Sequence, residues 1–405
     1  MKYEFSARAH TLLSSPLLSI RTQTRRGSMI SLAEELPAEE LFPLSLLAEA
    51  AATVISADAS ALQYGDPAGY EPLREWLADD WLRGKGVAVA EGGLLLTTGS
   101  QQAVDLLCRV YVDPGDPVLV ETPTSPGFLQ ALRMQGAVII PVEGDREGLL
   151  PDHLRAQILK YRPKMLFATP SFTNPSGILW SLHRRREVLE LCTAHQVLIV
   201  EDDSYGDLHF QRSGESPARQ YPSLYALENE SEGGHVLYIG SFSKTVAPAL
   251  RTGWAAGSRE LIGMMTAAKQ MADWQSSSLN QQVLHHLLNV SAFDLREHIA
   301  TLNREYNTRL KLMAELLKRP AWKSSTYHMP AGGMFLWVSL PEGLEALALL
   351  KCALGKGVAF LPGPLCSIEG GANHIRLNFS HPGRDELLLG MNLISEAVSE
   401  FTARS

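Results

Sequence analysis

The sequence predicts an α/β fold: a large domain on a mostly parallel sheet, with a smaller α+β domain beside it. Three observations point there. Short apolar runs recur between helical stretches, and several end in polar residues suited to chemistry. The texture changes from about Leu295, where a long polar helix replaces the alternation, and a domain boundary is expected near residue 285. The length of 405 residues leaves room for two or three domains, at roughly 100–200 residues each.

Along the chain, Thr11 to Ile20 reads as a short helix or arm. Pro72 to Arg83 reads as an amphipathic helix with Leu73, Trp76, Leu77 and Trp81 on one side. Leu94–Thr97 is a short apolar run ending near Gly99, and Gln101–Tyr111 is a helix stopped by the turn Asp113-Pro114-Gly115-Asp116. Val118–Val120, Val138–Pro141, Met165–Ala168, Val197–Val200 and Val236–Ile239 read as strands buried on both faces. A polar helix from about Glu297 to Leu317 leads to a strand over Gly332–Val338. The expected division is an N-terminal arm (residues 1–45) contributing to the small domain, a large domain (46–285) and a small C-terminal domain (286–405).

The composition is that of an ordinary globular protein, 45% hydrophobic and 20% charged, with a net charge of -8. The basic cluster Arg21, Arg25 and Arg26 is too short for a polyanion-binding surface, so nucleic acid is not an expected partner. No apolar run approaches the roughly 18 residues of a membrane span. Lys2, Glu4 and Arg8 are followed by no apolar core of a signal peptide. The four cysteines form no CxxC pair and no zinc spacing, so a cytoplasmic protein with reduced thiols and no metal is expected.

The most informative segment is Ser241-Phe242-Ser243-Lys244, with Arg251 seven residues beyond the lysine. A lysine at the end of a buried strand is poorly hydrated, which lowers its pKa and favours Schiff-base chemistry. The two hydroxyls and the guanidinium fork suit a phosphate monoester. Taken alone, the segment fits a solvated lysine in a polar loop equally well. Three other segments change that balance. Glu201-Asp202-Asp203-Ser204-Tyr205 ends another run, where one carboxylate can hold a pyridinium nitrogen and the tyrosine a phenolic oxygen. Asn174, before Pro175 and Gly177, can donate an amide hydrogen bond to the same oxygen. Thr97-Thr98-Gly99-Ser100-Gln101 lies between strand and helix, an anion site made by free N–H groups and the helix dipole.

In this order and spacing, the four segments resemble fold-type I pyridoxal-phosphate (PLP) enzymes of the class I/II aminotransferase family. The resemblance is nearer to the branch holding kynurenine and 2-aminoadipate aminotransferases and the aminotransferase-like half of MocR regulators. Leu62-Gln63-Tyr64-Gly65, Pro114-Gly115-Asp116, Gly332-Gly333-Met334-Phe335 and Ile375-Arg376-Leu377-Asn378-Phe379-Ser380 extend it from about residue 15 to 400. It implies PLP as cofactor, an α-amino acid and a 2-oxo acid as substrates, and a homodimer with shared active sites. Lys244 would carry the Schiff base and move the proton that leads to the quinonoid. Asp202 would hold the pyridinium, Tyr205 and Asn174 the phenolic oxygen. Gly99, Ser100, Gln101, Ser241, Ser243 and Arg251 would form the phosphate site, reached by Tyr64 of the neighbouring subunit. Arg376 would clamp the substrate carboxylate with Asn174 beside it, and Arg21 would contact the substrate side chain from a mobile arm. A regulatory PLP-sensing domain of MocR type is a minor alternative.

Three departures set this chain apart from the resemblance. Ser125 stands where relatives carry an aromatic ring that stacks on the cofactor, and Phe128 is a candidate substitute. Pro362-Gly363-Pro364-Leu365-Cys366-Ser367 lacks the usual aromatic residue. Ala33-Glu34-Glu35-Leu36-Pro37 has two glutamates in place of two glycines, which brings negative charge toward the mouth of the site. These changes leave open a preference for a cationic amino acid, or a non-transaminating outcome such as γ-replacement, cyclisation, elimination or oxidation.

Overall fold

The computed structural model describes residues 3–6, 8–9, 29–210, 220–228 and 234–404. The expected arm at Thr11–Ile20 and the arginines Arg21, Arg25 and Arg26 lie outside them. Among the described residues, thirteen strands, numbered in chain order, form two sheets. The small sheet holds β1 (Ile30–Leu32), β10 (Thr326–Tyr327), β11 (Phe335–Ser339), β12 (Val358–Pro362) and β13 (His374–Asn378). The large sheet holds β2 (Leu94–Thr97), β3 (Pro117–Thr122), β4 (Val138–Asp145), β5 (Gly148–Leu149), β6 (Met165–Ala168), β7 (Leu198–Asp202), β8 (Val236–Ser241) and β9 (Gly253–Ala256).

The strand order of the large sheet is β2-β9-β8-β7-β6-β3-β4-β5. Its centre, from β8 through β7, β6 and β3 to β4, is parallel. β9 runs antiparallel between β8 and β2. The near-continuous apolar runs exist because both faces are covered. Leu119, Leu166, Ile199 and Tyr238 enter the core on one face. Val118, Val120, Phe167, Val200 and Ile239 enter the core on the other. The period of two of a strand sorts them. The small sheet packs its own core around Leu336, Phe360, Leu377 and Phe379.

The sequence readings meet three local differences. The helix expected over 72–83 is α-helical over Glu71–Trp76 and then widens into a π-helical turn, Leu77–Leu82. Residues five apart sit on different faces of an α-helix but nearly above one another in a π-turn, and Trp76 stacks on Trp81 with ring centroids 6.1 Å apart. The strand expected from Gly332 begins at Phe335 because Gly333 turns with φ +76°. The strands β1, β5, β9, β10, β12 and β13 have no counterpart in the sequence reading; β1 is three residues long, and β9 is four residues at the end of the lysine segment.

The two sheets meet at a seam beside Asn174. His209 pairs with Gly332 in an isolated antiparallel bridge, and Phe172 lies beneath it in the left-handed region at φ +59°. A Cβ on Gly332 would fall 2.1 Å from the Leu208 carbonyl oxygen and 2.3 Å from the Phe172 ring. Gly332→Ala is therefore expected to cost about 1–3 kcal/mol through overpacking. Gly355→Ala, where a Cβ meets nothing within 4 Å, is expected to stay within about 0.5 kcal/mol of the parent. Thermal unfolding of the two variants checks the contrast; equal melting temperatures contradict it.

Candidate active site

The site is assembled by strand register. β9 lies between β2 and β8, and Gly253 pairs with Thr97 on one side and Ser241 on the other. The loops leaving β2 and β8 therefore emerge together at the same end of the sheet. β7 ends beside β8 at Asp202, and β6 leads to Asn174. All four loops open at the carboxyl ends of their strands, where an α/β sheet binds its ligands.

The first group of residues forms an anion cradle. Gly99 has φ +78°, which turns the chain into the helix Ser100–Tyr111 and leaves its first N–H groups free. The glycine is also required by space: a Cβ there would lie 2.5 Å from Arg251 Nη2. Arg251, itself left-handed at φ +49°, donates from Nη2 to the Thr98 carbonyl oxygen at 3.0 Å. Ser241 Oγ donates to Ser243 Oγ at 2.9 Å and accepts from Ser243 N at 3.1 Å. Gln101 is exposed and reaches the Gly127 carbonyl at 3.4 Å. Behind the cradle, Lys269 Nζ donates to Asp273 Oδ1 at 2.7 Å and to Gln102 Oε1 at 3.1 Å. Gln102 Oε1 in turn accepts from Thr98 N at 2.7 Å. Lys269 is fully buried, so this supporting layer fixes the loop from below.

The second group is a network around Lys244. Its Nζ donates to the Glu35 carbonyl oxygen at 2.7 Å and lies 5.9 Å from the centre of the Tyr205 ring. Burial pushes the lysine pKa below its ordinary value, an effect that the charge of Glu35 opposes. Asp202 accepts from Ser204 N at 3.1 Å and from Ser204 Oγ at 2.5 Å. Burial raises its pKa to about 6. Asn174 Nδ2 donates to Tyr205 Oη at 3.2 Å, and burial keeps that phenol well above its usual pKa. Arg376, only 2% exposed, donates from Nη1 to Asn174 Oδ1 at 2.6 Å and lies over the Phe335 ring at 4.1 Å.

The structure thus brings together Lys244, Asp202, Tyr205, Asn174 and Arg376 in one cluster, and Gly99, Ser100, Ser241, Ser243 and Arg251 in the adjoining cradle. Tyr64 is not drawn into this chain's own cluster; it is 77% exposed, with its ring edge-on to Trp274. Phe128 does not serve as the stacking ring. It packs on Phe167 in the core, ring centroids 5.0 Å apart, because Ser125 caps a helix that turns Phe128 inward. Two of the three departures meet in space, since Thr124 N donates to the Cys366 carbonyl at 2.7 Å. The neighbours Glu201 and Asp203 are structural. Glu201 accepts from Leu224 N and Tyr225 N, and Asp203 pairs with Lys85 at 2.7 Å.

The sequence reading placed Glu35 at the mouth of the site; the structure places it inside. Its carboxylate accepts from Arg376 Nη1 and Asn174 Nδ2, each at 2.9 Å, and from Tyr205 Oη at 3.3 Å. Burial alone would raise its pKa, but Arg376, Lys244 and the bonds from Asn174 and Arg376 hold it at about 2. The signal in the sequence was the replacement of two flexible positions by acids; the direction of the side chain required the fold. Among the described residues no cluster of acids, histidines and cysteines has the arrangement of a metal site, and no helix is long and apolar enough to cross a membrane.

Residues 29–388 match the family model of aminotransferases of class I and II. A 2-aminoadipate transaminase of Thermus thermophilus is 37% identical over 98% of this chain and 97% of its own length. An aromatic-amino-acid aminotransferase of Thermococcus litoralis is 31% identical over 98% of this chain and 94% of its own. The crystal structure of an α-aminoadipate aminotransferase from Thermus thermophilus, complexed with N-(5'-phosphopyridoxyl)-L-leucine, superposes with a TM-score of 0.90 at 35% identity, covering 99% of this chain and 98% of that one. The chain therefore belongs to the class I and II aminotransferases, pyridoxal-phosphate enzymes of fold type I that move an amino group from an amino acid to a 2-oxo acid.

Proposed function

We propose that Lys244 holds pyridoxal phosphate and moves the proton at the substrate's Cα, and that Arg376 and Asn174 receive the substrate's carboxylate. The observation that carries the reading is the convergence of one desolvated lysine, one buried carboxylate and one anion cradle at the ends of adjacent strands. The donor set fits the group. The cradle would hold the phosphate through Ser100 and Gln101 at the helix start and through Ser241, Ser243 and Arg251. Asp202 would hold the ring nitrogen, and Tyr205 with Asn174 the phenolic oxygen. When bound, the cofactor supplies an electron-withdrawing ring that stabilises the electron pair left by Cα deprotonation. Lys244 is suited to the proton transfer because burial lowers its pKa. Asp202 is suited to a cation because it is buried and its hydrogen bonds come from the neutral Ser204. Arg376 and Asn174 are buried where the two sheets meet.

The same reading includes a cytoplasmic homodimer. The exposed apolar side chains Leu44, Ile55, Leu62, Tyr64, Met271 and Trp274 support the dimer; Met271 is 88% exposed, and Tyr64 meets Trp274 edge-on. Trp274 adjoins the cradle, since the preceding Asp273 accepts from Gln102 Nε2 at 2.6 Å and from Thr98 Oγ1 at 3.3 Å. Four free cysteines support a reducing compartment. The proposed division at about residue 45 is supported by β1 joining the small sheet; a division at 285 would cut the helix Ser278–Asn289, whose packing on the helix Leu44–Ala57 favours a boundary after Asn289.

Three measurements test the reading. Lys244→Ala is expected to lower kcat about 10²–10⁴-fold with the fold retained by circular dichroism; activity within tenfold of the parent contradicts the role. Met271→Arg is expected to convert a dimer to a monomer in sedimentation and to weaken cofactor binding; a parent that sediments as a monomer contradicts the shared site. Asp202 gives a pH signature. Its folded pKa of about 6 exceeds its ordinary 3.8, so its stabilising contribution is complete below about pH 4 and is lost as pH rises through about 6. Without cofactor, Asp202→Asn is therefore expected to gain on the parent between pH 4 and 7.5, by up to about 3 kcal/mol. A difference independent of pH contradicts the assignment of the shift.

A further inference from the structure

We propose that Glu35 is an exchangeable counter-ion of Arg376, and that it extends the donors of this enzyme to primary amines that carry no carboxylate beside the amine. The inference rests on the reading of Arg376 as the carboxylate-binding residue.

Arg376 is buried to 2% exposure in the seam. A buried guanidinium without a counter-charge is strongly unfavourable, so the residue that binds a substrate carboxylate must be compensated when none is present. Glu35 supplies that charge from the chain itself, 2.9 Å from Nη1. Nη2 donates to the Ala33 carbonyl at 2.7 Å. Nε is buried and has no hydrogen-bond partner. Glu35 thus meets the arginine at a single nitrogen and leaves the Nε–H of the fork unused. A ligand carboxylate meeting two nitrogens binds more strongly than such a one-point pair, so it can displace Glu35.

The segment is built for the side chain to leave while the backbone stays. Asn378 Nδ2 donates to the Glu34 carbonyl at 2.6 Å and to the Leu36 carbonyl at 3.1 Å. Ser380 Oγ donates to the Leu36 carbonyl at 2.8 Å. These bonds pin the backbone on both sides of Glu35, whose side chain is 33% exposed. One site therefore has two charge states. With Glu35 on Arg376, an uncharged or cationic donor leaves no buried charge unpaired. With Glu35 turned out, a 2-oxo acid takes Arg376.

Both states are used in one transfer. The amine RCH2NH3+ and the oxo acid R'COCOO- give the aldehyde RCHO and the amino acid R'CH(NH3+)COO-. The C–N bond of the donor breaks and its carbon is oxidised by two electrons. The acceptor carbon gains the C–N bond and one hydrogen and is reduced by two electrons, so no further oxidant is needed.

The test compares the parent with Glu35→Gln, Glu35→Ala and Arg376→Gln as full-length holoenzymes. Hexylamine and norleucine are the two donors, 2-oxoglutarate the acceptor, and propionate binding is followed by calorimetry. The parent is expected to form hexanal. Glu35→Gln and Glu35→Ala are expected to lower kcat/KM for hexylamine at least tenfold, to raise that for norleucine, and to tighten propionate about tenfold. Propionate bound no tighter by either Glu35 variant, or no hexanal from the parent, overturns the proposal. Arg376→Gln separates the two levels. If it weakens norleucine about a hundredfold while the Glu35 variants change nothing, the carboxylate role of Arg376 stands and the exchange fails; if it leaves norleucine unchanged, both fall.

Discussion

A guanidinium with 2% of its surface exposed has to be paired, and the way Arg376 is paired ties the active site together. It sits on β13 of the small sheet, reaches Asn174 in the loop after β6 of the large sheet, and holds Ala33 and Glu35 of the N-terminal segment. Three stretches far apart in sequence are fixed by one side chain. The seam can close only if each of them is in place, and Asn378 and Ser380 repeat the same hold one turn of the pleat further on. The arginine proposed to receive the substrate carboxylate is thus also part of what joins the two sheets.

The chemistry at this seam follows from the sheet beneath it. Parallel strands covered on both faces end in loops that lie against one another, with Asp202, Tyr205 and Arg376 buried among them. Charges there are tuned by burial and by few neighbours. Asp202 is raised, Lys244 is lowered, and Glu35 is held low by two cations. The same burial that costs stability in the empty protein is what makes each group responsive to a ligand of opposite charge. The cradle is arranged on the same principle, with free N–H groups, two hydroxyls and one guanidinium around a glycine that a side chain would fill.

Much of this was legible in the sequence because the informative residues sit directly after apolar runs. Lys244, Asp202, Asn174 and Gly99 each follow a strand whose pattern is plain, and a strand end is a place as well as a local shape. The central strands were legible for the same reason, being short apolar runs bounded by polar or turn residues. What was not legible depended on partners distant in the chain. β1 is three residues long and exists because β12 pairs with it. β9 turns back between β8 and β2, a choice made by register rather than by composition. Phe128 offered an aromatic ring near the right place, but its helix turns it into the core. Glu35 was visible as an unusual acid, while its direction was set by Arg376 on the far side of the chain.

The central claim is that Lys244 is the residue that holds the cofactor. Its most direct test is to load the protein with pyridoxal phosphate, reduce it with borohydride, digest it and map the fixed pyridoxyl group by mass spectrometry. The account predicts one modified peptide, carrying the group on Lys244. Stoichiometric modification at another lysine, or none after loading, would contradict it.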